Sequence, residues 1–219
     1  MNYEQLNNNV VSLSGEIIDE PKFSHEIFNE GFYEFNLKVM RLSDSYDIIP
    51  ITISEKLMLD NQIVKGSKIT VSGQFRSFNK LEDGKSRLML TMFVRELKDY
   101  QEDVNPNKID MVGYVCKEPV FRTTPFKREI CDVLLAVNRN YNKSDYLPCI
   151  AWGRNARFVK NLQVGDKISV SGRIQSRDYQ KHHESGEVEN HTAYEVSLSQ
   201  VAMANHQLNF SNIQQNNVM

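Results

Sequence analysis

Cysteine is scarce in this chain, and its spacing argues against two classes of site. There are three cysteines among 219 residues, and no two of them form a Cys-x-x-Cys pair. An odd number does not suit a disulfide framework, and without such pairs a zinc site is not indicated. We expect all three to be small buried hydrophobic residues within or beside apolar segments, namely Cys116, Cys131 and Cys149.

Membrane-spanning, targeting and catalytic signals are missing as well. No stretch approaches the roughly 18 uncharged apolar residues that a membrane span needs, and residues 1–9 lack the residue order of a signal peptide. No phosphate-binding glycine loop and no nucleophile motif occurs. We therefore expect a cytoplasmic protein that is not an enzyme, contacts no membrane and holds no cofactor. One metal-like cluster is interpreted as a solvated hairpin loop: His182, His183, Glu184, Glu187 and His191.

Acidic and basic residues are unevenly distributed, although the net charge of the whole chain is only −2. Residues 1–105 contain 12 Lys and Arg against 17 Asp and Glu, a charge of −5. Residues 106–219 contain the other 14 and 11, a charge of +3. The near-neutral total therefore conceals an acidic half and a mildly basic half.

The chain repeats itself with a period of 98 to 99 residues. Eight identities recur at a shift of 98, and three more recur at a shift of 99 after one inserted residue. The period is too long for a solenoid and indicates a duplicated domain. The matches are Gly15, Glu20, Pro21, Phe23, Leu37, Val39, Arg41 and Pro50 with Gly113, Glu118, Pro119, Phe121, Leu135, Val137, Arg139 and Pro148, then Gly66, Ser72 and Gly73 with Gly165, Ser171 and Gly172.

The composition between and after the repeats predicts the domain boundaries. Residues 101–107 are charged and polar and include Pro106, which suits a linker between copy one (1–100) and copy two (108–204). Residues 205–219 are rich in Asn and Gln, and we expect a flexible tail there.

Each copy shows the alternation of half-buried strands. Apolar and polar residues tend to alternate in segments such as 68–75 and 167–174, and one helical stretch per copy lies near Ser54–Val64 and Asn155–Leu162. Gly73 and Gly172, inside strands, indicate sharp bends or bulges. The predicted fold is all-β, with two tandem five-stranded OB-fold barrels that each carry one short helix.

Copy two resembles the bacterial single-stranded DNA-binding protein family over nearly all of residues 108–204. No single motif is decisive, but their order and spacing together are specific, whereas copy one fits only loosely. The motifs are Met111-Val-Gly-Tyr-Val115, Glu118-Pro119 with Phe121-Arg122, Leu135-Ala-Val-Asn-Arg139, Ala151-Trp-Gly-Arg-Asn-Ala156, Val164-Gly-Asp-Lys167 and Val170-Ser-Gly-Arg-Ile174.

The resemblance implies four positions where an aromatic ring stacks on a base of single-stranded DNA. All four are aromatic in copy two: Tyr141, Tyr146, Trp152 and Tyr179. Such stacking is tolerant of sequence because every base has a π face. The alternative is that these rings belong to the core or to an interface, as most aromatics in small barrels do.

Several cations of copy two are candidates for phosphate contacts. Arg173 and Arg177 share a strand with Tyr179, and Arg154 follows Trp152 by two residues. The candidates are Arg177, Arg173, Arg154, Arg139, Arg122, Lys143 and Lys181, with Lys127, Arg128 and Arg157 as further possibilities. About half of them are expected to be ordinary solvated side chains.

Copy one lacks these aromatics at the repeat-related positions. The shift places Ser43, Ile48, Ser54 and Lys80 there, although Tyr46 and Phe78 lie two residues away and could form a displaced platform. Together with the acidic charge, this predicts that copy one is architectural or binds weakly.

The resemblance also implies partners. Single-stranded DNA is the expected ligand, in replication, recombination or repair, and a homodimer with four OB-folds is the expected assembly; a monomer is the alternative. The family's acidic tip, which recruits replication and repair proteins, has no counterpart here, since no acid follows Glu195. Two other functions stay open: an accessory protein whose OB surfaces bind proteins, and a protein that binds single-stranded RNA.

Overall fold

Twelve strands and two short helices account for most of the chain. The computed structural model describes residues 7–61, 63–82, 84–100, 105–182 and 188–204. Copy one contains β1 (Asn9–Ile17), β2 (Lys22–Ile27), β3 (Glu30–Met40), β4 (Tyr46–Ser54), α1 (Glu55–Asp60), β5 (Lys68–Glu82) and β6 (Lys85–Lys98). Copy two contains β7 (Asn107–Val115), β8 (Val120–Thr123), β9 (Glu129–Arg139), β10 (Lys143–Trp152), α2 (Arg154–Val159), β11 (Lys167–His182) and β12 (Val188–Met203).

Five strands of each copy close into a barrel, as predicted. In copy one the order around the barrel is β1–β3–β4–β6–β5 and back to β1, with β4 and β6 parallel and the other pairs antiparallel. Copy two repeats this order as β7–β9–β10–β12–β11. The two-barrel OB-type fold is therefore confirmed. A sixth short strand, β2 or β8, which the sequence did not suggest, pairs with the outer edge of β3 or β9.

The alternating pattern of the strands fills each barrel with apolar side chains. Every second residue of β7 is buried, and β1 shows the same alternation over its first half. Leu13 and Phe75 in copy one are inaccessible to solvent, as are Ile109 and Met111 in copy two. Because one face of each strand supplies the core, the opposite face is available for contacts outside the barrel.

Two glycines produce the bends that the sequence predicted. The pairing of β5 with β6 shifts register between Ser72 and Gly73, and that of β11 with β12 shifts between Ser171 and Gly172. A Cβ atom at Gly73 would lie 2.0 Å from the carbonyl oxygen of Phe93. One at Gly172 would lie 2.2 Å from that of Ser197. Only glycine permits so close an approach of two strands.

One short helix per copy follows the fourth strand; α1 lies within the predicted range, α2 begins one residue before it, and both are shorter than predicted. Ser54 caps α1, where its side chain accepts a hydrogen bond from the Leu57 amide. The helix α2 has no side-chain cap and is anchored instead by buried Ala156 and Val159. Over the described ranges, neither helix has the length or the apolar character that crossing a membrane would require.

The two barrels join edge to edge into one twelve-stranded sheet. Strand β1 pairs with β7 in antiparallel fashion, from Asn9 opposite Met111 to Leu13 opposite Asn107. Hydrogen bonds at the two ends are related by the repeat shift: Ser14 N donates to the Pro106 carbonyl, and Val112 N donates to the Asn8 carbonyl, both at 2.8 Å. The copies are therefore related by an approximate two-fold axis.

Two buried aspartates reinforce the contact between the copies. Asp47 in β4 accepts a 2.8 Å hydrogen bond from Ser176 N in β11. Asp145 in β10 accepts one of the same length from Ser77 N in β5. Both aspartates are fully buried, and each bonds the backbone of the other copy. These residues also obey the shifts of 98 and 99.

Candidate nucleic-acid interface

Two of the four predicted platforms share one face of β10. Tyr146 and Trp152 are six residues apart, an even separation, and the pairing of β10 with β9 shows no register shift between them. Their side chains therefore point to the same side, opposite the core. Tyr146 is 47% exposed and Trp152 37% exposed. Neither ring is a buried core residue, so both present surface that a base could cover.

The Trp152 ring is held in place by a neighbouring strand. Its indole Nε1 donates a 3.1 Å hydrogen bond to Ser197 Oγ on β12. The parallel pairing of β10 with β12, which matches Ala151 with Leu198, brings the two together. The hydrogen bond fixes the orientation of the indole, and its partly exposed face remains available for stacking.

Tyr141 occupies the turn between β9 and β10 and is 80% exposed. It has φ of 62° and Asn142 has φ of 55°, the left-handed conformation of a tight hairpin turn. Asn tolerates this conformation well, while a tyrosine there is unusual. The turn therefore places Tyr141 just before the start of β10.

Tyr179 lies on the arm that β11 and β12 form beyond the barrel. It pairs directly with His191, and the two rings stack with centroids 5.4 Å apart and planes 25° apart. The Arg177 guanidinium, two residues earlier on the same face, lies 5.9 Å from the Tyr179 centroid. Tyr179 is 42% exposed, so the arm carries an aromatic surface beside a cation.

Four of the predicted phosphate-binding cations are engaged by carboxylates, and one of them is Arg157, whose Nε lies 2.6 Å from Glu129. Arg122 forms two hydrogen bonds, of 2.8 and 3.2 Å, with half-buried Asp132. Arg139 Nε lies 3.4 Å from Asp145, and Arg173 Nη1 lies 3.2 Å from Asp47. Arg173 thus belongs to the contact between the copies, a placement that the sequence did not suggest.

The remaining predicted cations lie near the aromatic surfaces. Arg154 begins α2, two residues after Trp152, Lys143 begins β10, and Arg177 is on the β11 arm; all three are exposed. Within the described ranges no carboxylate forms an ion pair with any of them. The side chain of Lys181 lies outside the described residues.

The pKa values of the two aspartates at the contact between copies shift in opposite directions. Burial raises the pKa of Asp47, but the hydrogen bond from Arg41, the Ser176 amide and the charges of Arg41 and Arg173 together hold it below its ordinary value. Burial raises the pKa of Asp145 above its ordinary value, and the Ser77 amide and Arg139 offset only part of that effect. Only Asp47 is therefore fully compensated.

Copy one presents different groups at the corresponding positions. Ile48 is half-buried, and its amide donates to Ser176 Oγ at 3.3 Å; Ser54 caps α1. Tyr46 is exposed, however, with Lys38 Nζ 4.6 Å from its ring centroid, and Phe78 is also exposed. The displaced aromatics that the sequence suggested therefore lie at the surface.

The cysteines and the metal-like cluster offer no reactive site among the residues that can be described. Cys131 and Cys149 are buried, Cys116 is half-buried, and burial raises the pKa of Cys131 to about 11. In the described part of the chain no three His, Cys, Asp or Glu side chains form a group that could hold a metal. Residues 183–187 of the predicted loop, and the side chain of His182, lie outside it.

Comparison with known families assigns copy two. The model of the single-strand binding protein family matches residues 106–204. This region belongs to the single-strand binding protein family. The expectation of a binding protein rather than an enzyme is thereby confirmed for it.

Curated relatives match about a third of this chain. Single-stranded DNA-binding protein 1 of Staphylococcus aureus is 36% identical over 81 residues, which cover 34% of this chain and 48% of the relative. Single-stranded DNA-binding protein A of Bacillus subtilis is 35% identical over 81 residues, 34% of this chain and 47% of the relative. The chain thus spans about half the length of these curated relatives.

A solved structure matches both copies together. The wild-type single-stranded DNA-binding protein from Thermus aquaticus superimposes with a TM-score of 0.72 over 93% of this chain and 98% of its own, at 18% identity. A deletion mutant of the same Thermus protein gives a TM-score of 0.69 over 92% of this chain and 96% of its own, at 17% identity. At these identities the likeness establishes the shared fold, two OB-type barrels in one chain.

Proposed function

We propose that this protein binds single-stranded DNA without sequence preference, mainly through copy two. The observation that carries the proposal is the exposed face of β10, where Tyr146 and Trp152 lie on the same side in a family domain. Stacked bases contribute roughly 1–3 kcal/mol each and suit any sequence.

The proposed groove continues from β10 to the arm and to the turn. Tyr179 with Arg177 extends the aromatic and cationic surface along β11, and Tyr141 with Lys143 extends it past the start of β10. Arg154 beside Trp152 is the third cation of this path. Arg139, Arg122 and Arg173, which carboxylates already engage, are assigned weaker phosphate contacts.

The biological setting and assembly are part of the same proposal. We place the protein in the cytoplasm, in DNA replication, recombination or repair. Two chains would pair as a homodimer with four barrels, which lets one strand wrap several grooves. Copy one, with its charge of −5, is assigned a mainly architectural role.

The single tryptophan makes the proposal directly testable. Trp152 is the only indole in the chain, so its fluorescence reports on the groove alone. Titration with a dT oligomer of a few tens of nucleotides should quench it strongly, and the affinity should weaken as salt rises, with a log–log slope near −0.7 per phosphate neutralised.

The same titration separates DNA binding from the two other functions, RNA binding and protein binding, when a matched rU oligomer is included. Equal or tighter binding of rU would move RNA to first place. Neither quenching nor binding of dT at low salt would contradict the proposal and favour an accessory protein whose barrels bind other proteins.

A further inference from the structure

A cleft of about 540 Å³ lies where the two copies meet. Its walls come from β1, β5 and β6 of copy one and from the turn between β9 and β10 of copy two. Four cations line it, two from each copy: Arg76 and Arg95 of copy one with Arg139 and Lys143 of copy two. The acidic half of the chain thus contributes two arginines to a basic cleft.

The two arginines of copy one share one neutral acceptor. Arg76 Nη2 and Arg95 Nη2 both donate 3.0 Å hydrogen bonds to Gln74 Oε1. The Arg76 guanidinium stacks on Phe93, with Cζ 3.8 Å from the ring centroid. An amide oxygen orients both side chains but does not neutralise either charge.

Hydrogen-bond donors are left over in the same place. The Nε atoms of Arg76 and Arg139 are buried, and within the described part of the chain neither meets an acceptor with hydrogen-bond geometry. Arg139 Nε lies 3.4 Å from Asp145 Oδ2, which is also buried without a hydrogen bond from any described residue, so its charge is partly met. Arg76 Nε has no such neighbour among the described residues, and because a buried donor without an acceptor is costly, an oxygen ligand that reached it would make a hydrogen bond that the protein alone leaves unmade.

The carboxylates of the cleft do not balance its cations. Glu96 lines the wall, but its Oε2 lies 3.1 Å from Lys98 Nζ. Asp145, 3.4 Å from Arg139 Nε, is fully buried and accepts the Ser77 amide. Burial, together with the nearby charges of Arg139 and Arg95, lowers the pKa of Arg76 to about 10, which agrees with an excess of positive charge.

The repeat provides an internal comparison. A second cleft of about 260 Å³ lies on the other side of the approximate two-fold axis, lined by Arg41 and Arg173. Both of these arginines pair with Asp47, Arg41 at 2.6 Å and Arg173 at 3.2 Å. There two arginines share one carboxylate, whereas four cations line the first cleft, so the larger excess of positive charge is a property of the first cleft and not of the fold.

We propose that the cleft of Arg76, Arg95, Arg139 and Lys143 binds a phosphodiester of single-stranded DNA, so that both copies hold the strand. The proposal rests on the function proposed above and extends it to copy one. Planar guanidinium groups match phosphate oxygens with paired hydrogen bonds. Tyr141, exposed on the rim, would stack the adjacent base. The strand then passes from the groove of copy two onto copy one.

The test removes the charge of Arg95, which is exposed and so can be changed without disturbing the core. Binding of a labelled dT oligomer of a few tens of nucleotides is followed by anisotropy from about 0.05 to about 0.5 M salt. Arg95→Gln should reduce the log–log slope by about 0.7 and the affinity at about 0.1 M salt about five-fold. Arg76→Gln combined with Arg95→Gln should reduce the slope by about 1.4.

Matched variants separate the site from general charge. Lys56→Gln removes one exposed charge on α1 and should leave the slope unchanged. Arg95→Lys keeps the charge and should retain most of the affinity. If Arg95→Gln binds like the wild type, the cleft holds no phosphate while the proposed function stands. If the wild type itself does not bind dT, both proposals fail.

Discussion

At the scale of single residues, the proposed function predicts that DNA binding depends most on the Trp152 indole. Its edge is bonded to Ser197 and its ring is partly exposed, so it is oriented before a base arrives. Trp152→Ala should therefore weaken dT binding by about 1–3 kcal/mol. Anisotropy of a labelled oligomer measures this, since the variant has no tryptophan fluorescence.

The matched control for Trp152 is the phenylalanine variant. Trp152→Phe keeps a stacking ring and loses only the hydrogen bond to Ser197, so most of the affinity should remain. Unchanged affinity of Trp152→Ala, with circular dichroism and thermal unfolding like the wild type, would remove Trp152 from the binding site.

The two buried aspartates should respond differently to neutralisation. Asp47→Asn leaves Arg41 and Arg173 beside a neutral amide and should cost about 2–4 kcal/mol of unfolding free energy at pH 7. Asp145→Asn removes a charge whose pKa burial already raises, and should cost about 1 kcal/mol or less. Urea denaturation of both variants measures the difference.

The unfolding free energies of the same variants should change with pH in opposite directions. The folded-state pKa of Asp47 is below its ordinary value, so its charge stabilises the fold above that value and loses this effect as the pH falls through the folded-state pKa. The deficit of Asp47→Asn should therefore change little from pH 7 to about 4 and shrink as the pH is lowered further, through the folded-state pKa. For Asp145 the folded-state pKa is raised, so ionisation costs stability as the pH rises through it. A deficit of Asp47→Asn that stays constant as the pH falls below about 4 would contradict this assignment.

At the scale of elements, the bend of β11 depends on one glycine. A Cβ at Gly172 would lie 2.2 Å from a backbone oxygen of β12, which cannot move as a flexible side chain does. Gly172→Ala should cost about 1–3 kcal/mol or more of unfolding free energy, measured in urea. The control is Ser72→Ala at the equivalent bend of copy one, next to Gly73, which adds no atom and should leave the unfolding free energy nearly unchanged. A Gly172→Ala protein as stable as the wild type would show that the strands can separate at the bulge.

At the scale of the whole molecule, we propose that the paired copies act on one DNA strand. Isolated residues 1–103 should bind dT at least about ten-fold more weakly than isolated residues 105–204, because all four predicted platforms lie in copy two. Both fragments should bind more weakly than the full chain. Anisotropy measures the affinities, and cooperative thermal unfolding checks that each barrel is folded. Equal affinity of the two fragments would contradict the division of roles.

The repeat and the strand pattern were sufficient for the fold but not for every contact. Shifts of 98 and 99 residues predicted two barrels, and the glycines at 73 and 172 predicted their bends, because these features depend on local backbone geometry. The same shifts relate Asp47 to Asp145 and Ser77 to Ser176, a signal that could have indicated the contact between copies. Aspartates in amphipathic strands look like solvated residues until the partner copy covers them.

The amino-acid sequence by itself determined the two-barrel architecture, the family of copy two and the aromatic positions, because alternation, glycine placement and motif order are properties of the chain. Only the tertiary structure decided which cations are free of carboxylate partners and so available to bind phosphate. Arg173 looked like a phosphate ligand and instead pairs with Asp47, while Arg76 and Arg95, in the acidic half, line a basic cleft. The physical reason is that net charge is a sum over a segment, whereas electrostatic interaction depends on distance, and distance between residues of different copies is set by the pairing of β1 with β7.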